Sequence, residues 1–372
     1  MKNWNIEEFR DELAEIVNID SGSNNKTGVG SIGKYMARKL ADSGLSVQTY
    51  NDFTGVEART HTDCEAFDVL LVGHMDTVFP DGTAALRPYT EKDGFAYGPG
   101  VCDMKGGLIM ILHLIRRIIS ENHDIRLCVA LNGDEEIGSI DSKEWIQNLA
   151  RSCRYALVFE PGRNGTAFVR SRKGCMDVEI DFHGKASHAG VDPEKGANAI
   201  LEMANWITAL SALQSLPNGT SVSAGIVSGG NASNVIPDYA HAVFDIRYTS
   251  IDEMNRVQTK LDELANNITV PGVVAYVKIA SCSLPMTPSD ATYQLIEKLN
   301  KIAADLEIEI SWADTGGTSD ANSIAGIGIP TLCGCGPVGG EMHSDKEFLE
   351  LSSIEKRLNL IYRLLTEEIY GI

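Results

Sequence analysis

Five short stretches of this chain concentrate histidine, aspartate and glutamate: Gly73-His74-Met75-Asp76-Thr77, Cys102-Asp103-Met104-Lys105-Gly106-Gly107, Asn132-Gly133-Asp134-Glu135-Glu136-Ile137-Gly138-Ser139, Glu160-Pro161 and Glu341-Met342-His343-Ser344-Asp345. None is built on a Cys-x-x-Cys pair, so the donors on offer are imidazoles and carboxylates. That set suits Zn²⁺, Co²⁺ or Mn²⁺ in a catalytic site with an open coordination position. Two histidines with three or four carboxylates exceed the needs of one tetrahedral zinc. They match two metals bridged by a carboxylate, roughly 3.5–4 Å apart. Asp76, two residues past His74, is placed to accept the other ring N–H and fix its tautomer. Glu135 and Glu136 are adjacent and are expected not to point the same way, which makes one a ligand and the other a general base. Each stretch also has a plainer reading. His-x-Asp at a strand end is a common turn, paired glutamates are often a solvated face, and Gly98-Pro99-Gly100 and Gly106-Gly107 are turn chemistry. Their joint occurrence favours a site. His61, His113, His123, His183 and His241 lack such company and read as structural.

These clusters need elements to hold them. Ile6, Phe9, Leu13, Ile16 and Val17 share one helical face, and 31–43 reads as a second helix ending at Gly44. The runs 67–72, 125–131 and 155–159 read as buried strands, with an apolar helix over 108–119 between the first two. Strands alternating with helices and apolar on both faces predict an α/β fold with a mostly parallel sheet. In such sheets ligands gather past the carboxyl ends of the strands, where the clusters fall. From about residue 174 the pattern becomes half-buried. Met176–Phe182 alternates, helices follow over 195–213 and 251–267, and strands over 221–227, 240–248 and 273–279. That order, β-α-β-β-α-β, is ferredoxin-like. The α/β pattern then returns, with helices over 290–305 and about 351–368. The predicted organisation is therefore a discontinuous catalytic metal-binding domain, 1–172 and 284–372, carrying an inserted α+β domain at 173–283.

Composition narrows the function. Acidic residues number 51 against 32 basic ones, a net charge of −19, and nucleic-acid binding needs the opposite field. No stretch is apolar for the roughly 18 residues of a membrane span, and charge precedes any apolar run in Met1-Lys2-Asn3-Trp4-Asn5-Ile6-Glu7-Glu8. Eight scattered cysteines read as reduced thiols in the cytoplasm.

Taken in order, Gly73-His74-Met75-Asp76-Thr77-Val78, Asp103-Met104-Lys105-Gly106-Gly107, Asp134-Glu135-Glu136-Ile137-Gly138-Ser139, Glu160-Pro161, Gly184-Lys185-Ala186-Ser187-His188-Ala189-Gly190 and His343-Ser344-Asp345 resemble the co-catalytic zinc peptidase family of bacterial glutamate carboxypeptidase, peptidase T, aminoacylase and succinyl-diaminopimelate desuccinylase. The resemblance implies Asp103 as the bridging carboxylate, His74 and Glu160 completing one metal site, Glu136 and His343 the other, and Glu135 as general base. It implies a cis peptide at Asp103–Met104. It also implies that the inserted domain acts as a lid and dimerisation domain, and that His188 reaches the other subunit's site of a homodimer to polarise the scissile carbonyl. Asn234 and Arg247 resemble substrate contacts, as do Gly317 and Thr318 in Gly316-Gly317-Thr318-Ser319-Asp320. The plainer readings are an Arg247–Asp245 surface pair and a Thr/Ser helix cap.

The implied activity is hydrolysis of an amide adjacent to a free carboxylate, on a small peptide or N-acyl amino acid. Glu160, rather than Asp, resembles the carboxypeptidase and deacylase members. Leu284, before Pro285, stands where glutamate-releasing members carry Arg, which weakens the case for a C-terminal glutamate. N-acyl amino acid deacylation or di/tripeptide cleavage is the alternative. A noncatalytic metal- and peptide-binding protein is the reading from a different class.

Overall fold

The computed structural model describes residues 5–370 apart from 164 and 216. The segment Met1–Trp4, part of the N-terminal reading above, lies outside them. The chain divides into two compact units. One comprises 1–171, 288–315 and 319–372, and the other 172–287 with 316–318.

The larger unit is built on a six-stranded sheet in the order Ser46–Tyr50, Gly55–Arg59, Leu127–Asn132, Phe67–His74, Cys153–Val158, Thr331–Leu332. The last four strands pair in parallel, and the first two add antiparallel at one edge. This is the mixed α/β fold with a parallel-rich sheet that the patterning predicted. Phe67–His74 is buried at all eight positions, as a central strand covered on both faces must be. From it the chain runs through helix Gly106–Ser120 to the strand on one side, then through helix Lys143–Arg151 to the strand on the other. The connections thus diverge at the carboxyl end of Phe67–His74, the switch point where open α/β sheets bind ligands. His74 is the last residue of that strand.

Helix Gly106–Ser120 buries Leu108, Ile109, Ile111, Leu112 and Ile115 and packs against Ile6–Val17, Lys26–Asp42 and Leu351–Arg363. The second helix begins at Lys26, five residues earlier than the sequence predicted. Gly28, Gly30 and Gly33 disfavour helix by propensity, but tertiary packing requires them: a Cβ on Gly33 would lie 1.9 Å from the Phe53 carbonyl oxygen. Asn25 caps the start by accepting from the Gly28 N–H.

The smaller unit has the β-α-β-β-α-β order and a four-stranded antiparallel sheet, arranged Ser221–Gly229, Tyr239–Tyr248, Gly174–His183, Val274–Ser283. Its strands alternate. Val178, Ile180, Phe182, Phe244 and Ile246 are buried together with Trp206 of helix Ala199–Ser211 and Leu261 of helix Ile251–Asn266. Asp177, Glu179, Asp181, Asp245 and Lys278 take the other face, joined by pairs such as Lys278–Glu179 at 2.9 Å. Among the described residues no helix is long and apolar enough to cross a membrane, and all eight cysteines are free thiols.

Candidate metal centre

His74 leaves its strand fully buried, with Nδ1 3.0 Å from the backbone carbonyl of Asp76. The Asp76 carboxylate stands off at 3.4 Å, so the ring is oriented first by main chain rather than by the side chain that the spacing suggested. Asp76 has a wider task. It has no exposed surface, and it accepts from Ser23 Oγ at 2.6 Å, the Glu135 N–H at 3.2 Å and the Glu136 N–H at 3.1 Å. One carboxylate thereby fixes the histidine strand to the paired-glutamate turn.

Asp103 sits in an irregular turn, Val101–Lys105, and its peptide bond to Met104 is cis. Gly100 enters the turn at φ +72°, where a Cβ would lie 2.5 Å from Thr77 Cγ2, so glycine is needed there. Asp103 points its two oxygens in different directions. Oδ1 is 3.3 Å from His74 Nε2 and Oδ2 is 3.5 Å from His343 Nε2. His74 Nε2 also lies 3.7 Å from Glu160, and His343 Nε2 lies 3.4 Å from Glu136. Two histidine–carboxylate triads therefore share Asp103. Four of these five side chains are buried, whereas the His343 side chain is 53% exposed.

Glu135 and Glu136 occupy a short 3-10 turn, Glu135–Ile137. Donor atoms of His74, Glu135 and Glu160 all come within 4.8 Å of one another, and so do those of His74, Asp103 and Glu136. The expectation that adjacent glutamates cannot both face the site is thus corrected. The tight turn, with both of its N–H groups held by Asp76, brings both carboxylates into one pocket. Asp134, immediately before them, accepts from Ser142 Oγ and from the N–H groups of Asp141 and Ser142. Behind the turn lies buried Asp320, which accepts from Ser139 Oγ at 2.5 Å and Asn132 Nδ2 at 3.0 Å. Burial pushes Asp320 up to about 6, against the opposing hydrogen bond from Ser139.

The electrostatics call for cations. Burial and then the neighbouring Glu160 charge push Glu135 well above the usual carboxylate range. Burial disfavours charge on His74, yet the facing carboxylates of Asp103 and Asp76 and the charges of Glu135 and Glu160 hold its pKa well above that of a free imidazole. Burial would likewise raise Asp103, but the facing imidazoles of His343 and His74 hold it far below an ordinary aspartate. Four acidic side chains converge here on two histidines. Among the described residues, His74 Nε2 and Glu136 Oε1 are buried without a hydrogen-bond partner. Such orphaned donor atoms inside an anionic pocket fit divalent metal ions.

The sequence profile of Peptidase family M20/M25/M40 matches residues 70–367, a span that contains every histidine and carboxylate of this pocket. The chain belongs to that family. Carboxypeptidase G2 of Pseudomonas sp. (strain RS-16) is 29% identical over 370 residues, covering 95% of this chain and 88% of the relative. Acetylornithine deacetylase of Myxococcus xanthus is 31% identical over 255 residues, 63% of this chain and 66% of the relative. In fold, the chain resembles the crystal structure of aminopeptidase PepT from Bacillus cereus ATCC 10987, with a TM-score of 0.80, 22% identity and 98% of each chain covered. The resemblance read from the motifs is borne out, and this M20 chain is an enzyme of the metallopeptidase type.

The remaining candidates of this M20 enzyme lie in the smaller unit. His188 is exposed, in a two-residue bridge with Val235–Ile236. Its Nδ1 accepts from the N–H groups of Gly190 and Val191, both at 3.1 Å, so the neutral ring carries its proton on Nε2. Asn234 is exposed next to it, its carbonyl accepting from the Ala189 N–H. Arg247 is held by Asp245 at 2.6 Å, as the plainer reading had it. Gly317 and Thr318 direct their carbonyls at Arg172 Nη1, at 3.1 and 3.5 Å. The cap of the following short helix is Ser319, whose Oγ accepts from the Ala321 N–H. A further group of metal-type donors, Cys175, Asp177 and Asp245, is already engaged by Arg247 and Ser281.

Sequence reasoning missed Glu347, Asp320, Asn132, Ser139 and Ser23. Each acts on backbone or on another polar side chain, which no spacing reveals. The histidines read as structural do have partners away from the site: Glu12 for His113, Asp124 for His61, Asp181 for His241 and Tyr362 for His123. His183 stacks edge-on against Tyr239 and Tyr276.

Proposed function

We propose that this M20 enzyme is a zinc-dependent amidohydrolase that cleaves an amide bond next to a free carboxylate, in the manner of a carboxypeptidase. The observation that carries it is Asp103, whose two oxygens face different histidines while Glu135 stands in the same pocket. His74, Asp103 and Glu160 would hold one ion, and Asp103, Glu136 and His343 the other. When bound, two divalent cations supply Lewis acidity that polarises the scissile carbonyl and acidifies the attacking water. Glu135 takes the water's proton on its carboxylate and delivers it to the leaving amine. Asp76 keeps His74 and both glutamates in register during this exchange. His188, with its proton on Nε2, donates to the developing oxyanion in the site of a second subunit of a cytoplasmic homodimer. A single such donor supplies roughly 3 kcal/mol.

Asn234, Gly317 and Thr318 are assigned to substrate binding. Arg247 joins them where its pair with Asp245 opens. The similarity to carboxypeptidase G2 over 95% of the chain supports cleavage beside a free carboxylate. Leu284, an apolar residue where a glutamate-binding cation was expected, together with the similarity to acetylornithine deacetylase, favours deacylation of an N-acyl amino acid as the second reading. A mass-spectrometric screen of zinc-, cobalt- and manganese-loaded protein against dipeptides and N-acyl amino acids separates the two. Cleavage of neither class refutes both. Mixing His188→Ala with Glu135→Gln protein restores activity if the site is shared between subunits, and leaves it lost if each subunit works alone.

A further inference from the structure

Glu347 is 1% exposed and lies four residues after His343. Its Oε2 accepts from the Gly100 N–H at 2.9 Å, and its Oε1 from the N–H groups of Cys102 and Asp103, each at 2.9 Å. These three main-chain donors belong to the irregular turn that presents Asp103. Asp103 (φ −112°, ψ 93°) and Met104 (φ −129°, ψ 37°) depart from helical geometry, so the turn cannot supply its own acceptors for them. Buried N–H groups need a partner, and a carboxylate imported from the distant His343 loop provides it. The same carboxylate ties the tip of that loop to the Asp103 turn. Glu341 and His343 both have positive φ, +55° and +63°, and the His343 side chain is half exposed. Its other ties are the antiparallel pairing of Gly339–Gly340 with Phe348–Glu350 that brackets it, Arg87 Nη1 to the Ser344 carbonyl at 3.2 Å and short turns around Ser344.

We propose that Glu347 is a positioning residue of the metal centre: by accepting from Gly100, Cys102 and Asp103 it couples the Asp103 turn to the His343 loop and sets the spacing of the two metal positions. This rests on the dinuclear reading above. Glu347 touches neither the expected ions nor substrate; it acts through the main chain of one ligand and the loop of another. Gln at this position keeps the size but turns an N–H₂ toward at least one of the three N–H groups, so charge and acceptor count matter, not volume.

The test is chelator-competition titration of zinc, with the visible spectrum of cobalt-loaded protein, on wild type, Glu347→Gln and a control, Glu12→Gln. The control removes a buried carboxylate of the same unit that is bound to His113, Arg116 and Lys39. Wild type is expected to take two ions per chain. Glu347→Gln is expected to bind at least one of them 10–100-fold more weakly, the usual effect of removing an outer partner of a ligand, with an altered cobalt spectrum. Glu12→Gln is expected to lower the melting temperature while leaving metal affinity unchanged. Equal metal affinity and spectra in Glu347→Gln and wild type overturn the proposal, and wild type that holds fewer than two ions overturns the dinuclear reading instead. If Glu347→Gln does not fold, hydrogen exchange of the wild type decides. The amides of Gly100, Cys102 and Asp103 must be protected in metal-free protein, because their acceptor is Glu347. Protection that appears only on adding zinc refutes a pre-set cradle.

Discussion

Asp76→Asn tests how the pocket is held together. Asp76 offers four lone-pair directions and uses them on Ser23 Oγ, the N–H groups of Glu135 and Glu136, and the edge of His74. Asparagine keeps the shape but replaces one oxygen with a donor. If the amide nitrogen takes the place of Oδ2, the Ser23 hydroxyl can rotate to accept, but the Glu136 N–H faces another donor. If it takes the place of Oδ1, the Glu135 N–H and the protonated Nδ1 of His74 do. Either way a buried backbone N–H loses its acceptor, a loss of about 1–3 kcal/mol, a sizeable part of the 5–15 kcal/mol typical of whole domains. The same change loosens a turn that carries two site carboxylates, so metal affinity should fall about 10–100-fold. Urea unfolding of the metal-free protein reads the first quantity and chelator competition the second. An unchanged unfolding midpoint together with unchanged zinc affinity would refute the reasoning that Asp76 organises the site.

Three further outcomes are expected. Glu135→Gln should lower kcat by about 10²–10⁴-fold with metal content unchanged, measured by elemental analysis beside turnover; near-normal turnover excludes it as the base. Burial tends to raise the pKa of Glu12, but hydrogen bonds from His113, Arg116 and Lys39 hold it well below the usual 4.5. Its contribution is therefore present above about 4.5 and lost as pH falls through its lower folded value. Denaturant titrations on the acid side should show a shallower loss of stability in Glu12→Gln than in wild type. Asp320 behaves oppositely, since burial raises its folded pKa to about 6 from 3.8. Its contribution is complete below about 4 and declines by about 3 kcal/mol as pH rises through 6. Asp320→Asn should abolish that decline in metal-free protein, and a parallel pH profile in both proteins would show that the carboxyl is ionised throughout.

The gathering of His74, Glu135, Glu136 and Glu160 was legible because each lies at or within four residues of the end of a buried strand. His74 closes a strand of eight buried residues, and a short polar cluster after such a strand falls where an α/β sheet opens to solvent. The ferredoxin-like order was legible from the alternation in Met176–Phe182 and Ala240–Tyr248, which one buried face imposes. The start of the second helix was not, because Gly28, Gly30 and Gly33 carry a local preference that close contact with neighbouring backbone overrides. The orientation of Glu135 and Glu136 was misjudged for a related reason. Residue spacing alone does not show that Asp76 gathers both of their N–H groups, and that contact spans about sixty positions of sequence. Glu347 and Asp320 were invisible for the same cause: each serves main chain or polar side chains far along the polypeptide.

The continuous part of the smaller unit, 172–287, begins and ends at one point. Arg172 and Met286 exchange both of their backbone hydrogen bonds, at 3.0 and 3.1 Å, so entry and exit strands lie side by side like the two legs of a staple. A module closed in this way can be lengthened, exchanged or deleted by recombination while the flanking chain keeps its path. Replacing it with a two-residue hairpin is thus the natural way to ask what the remaining scaffold can still do without it.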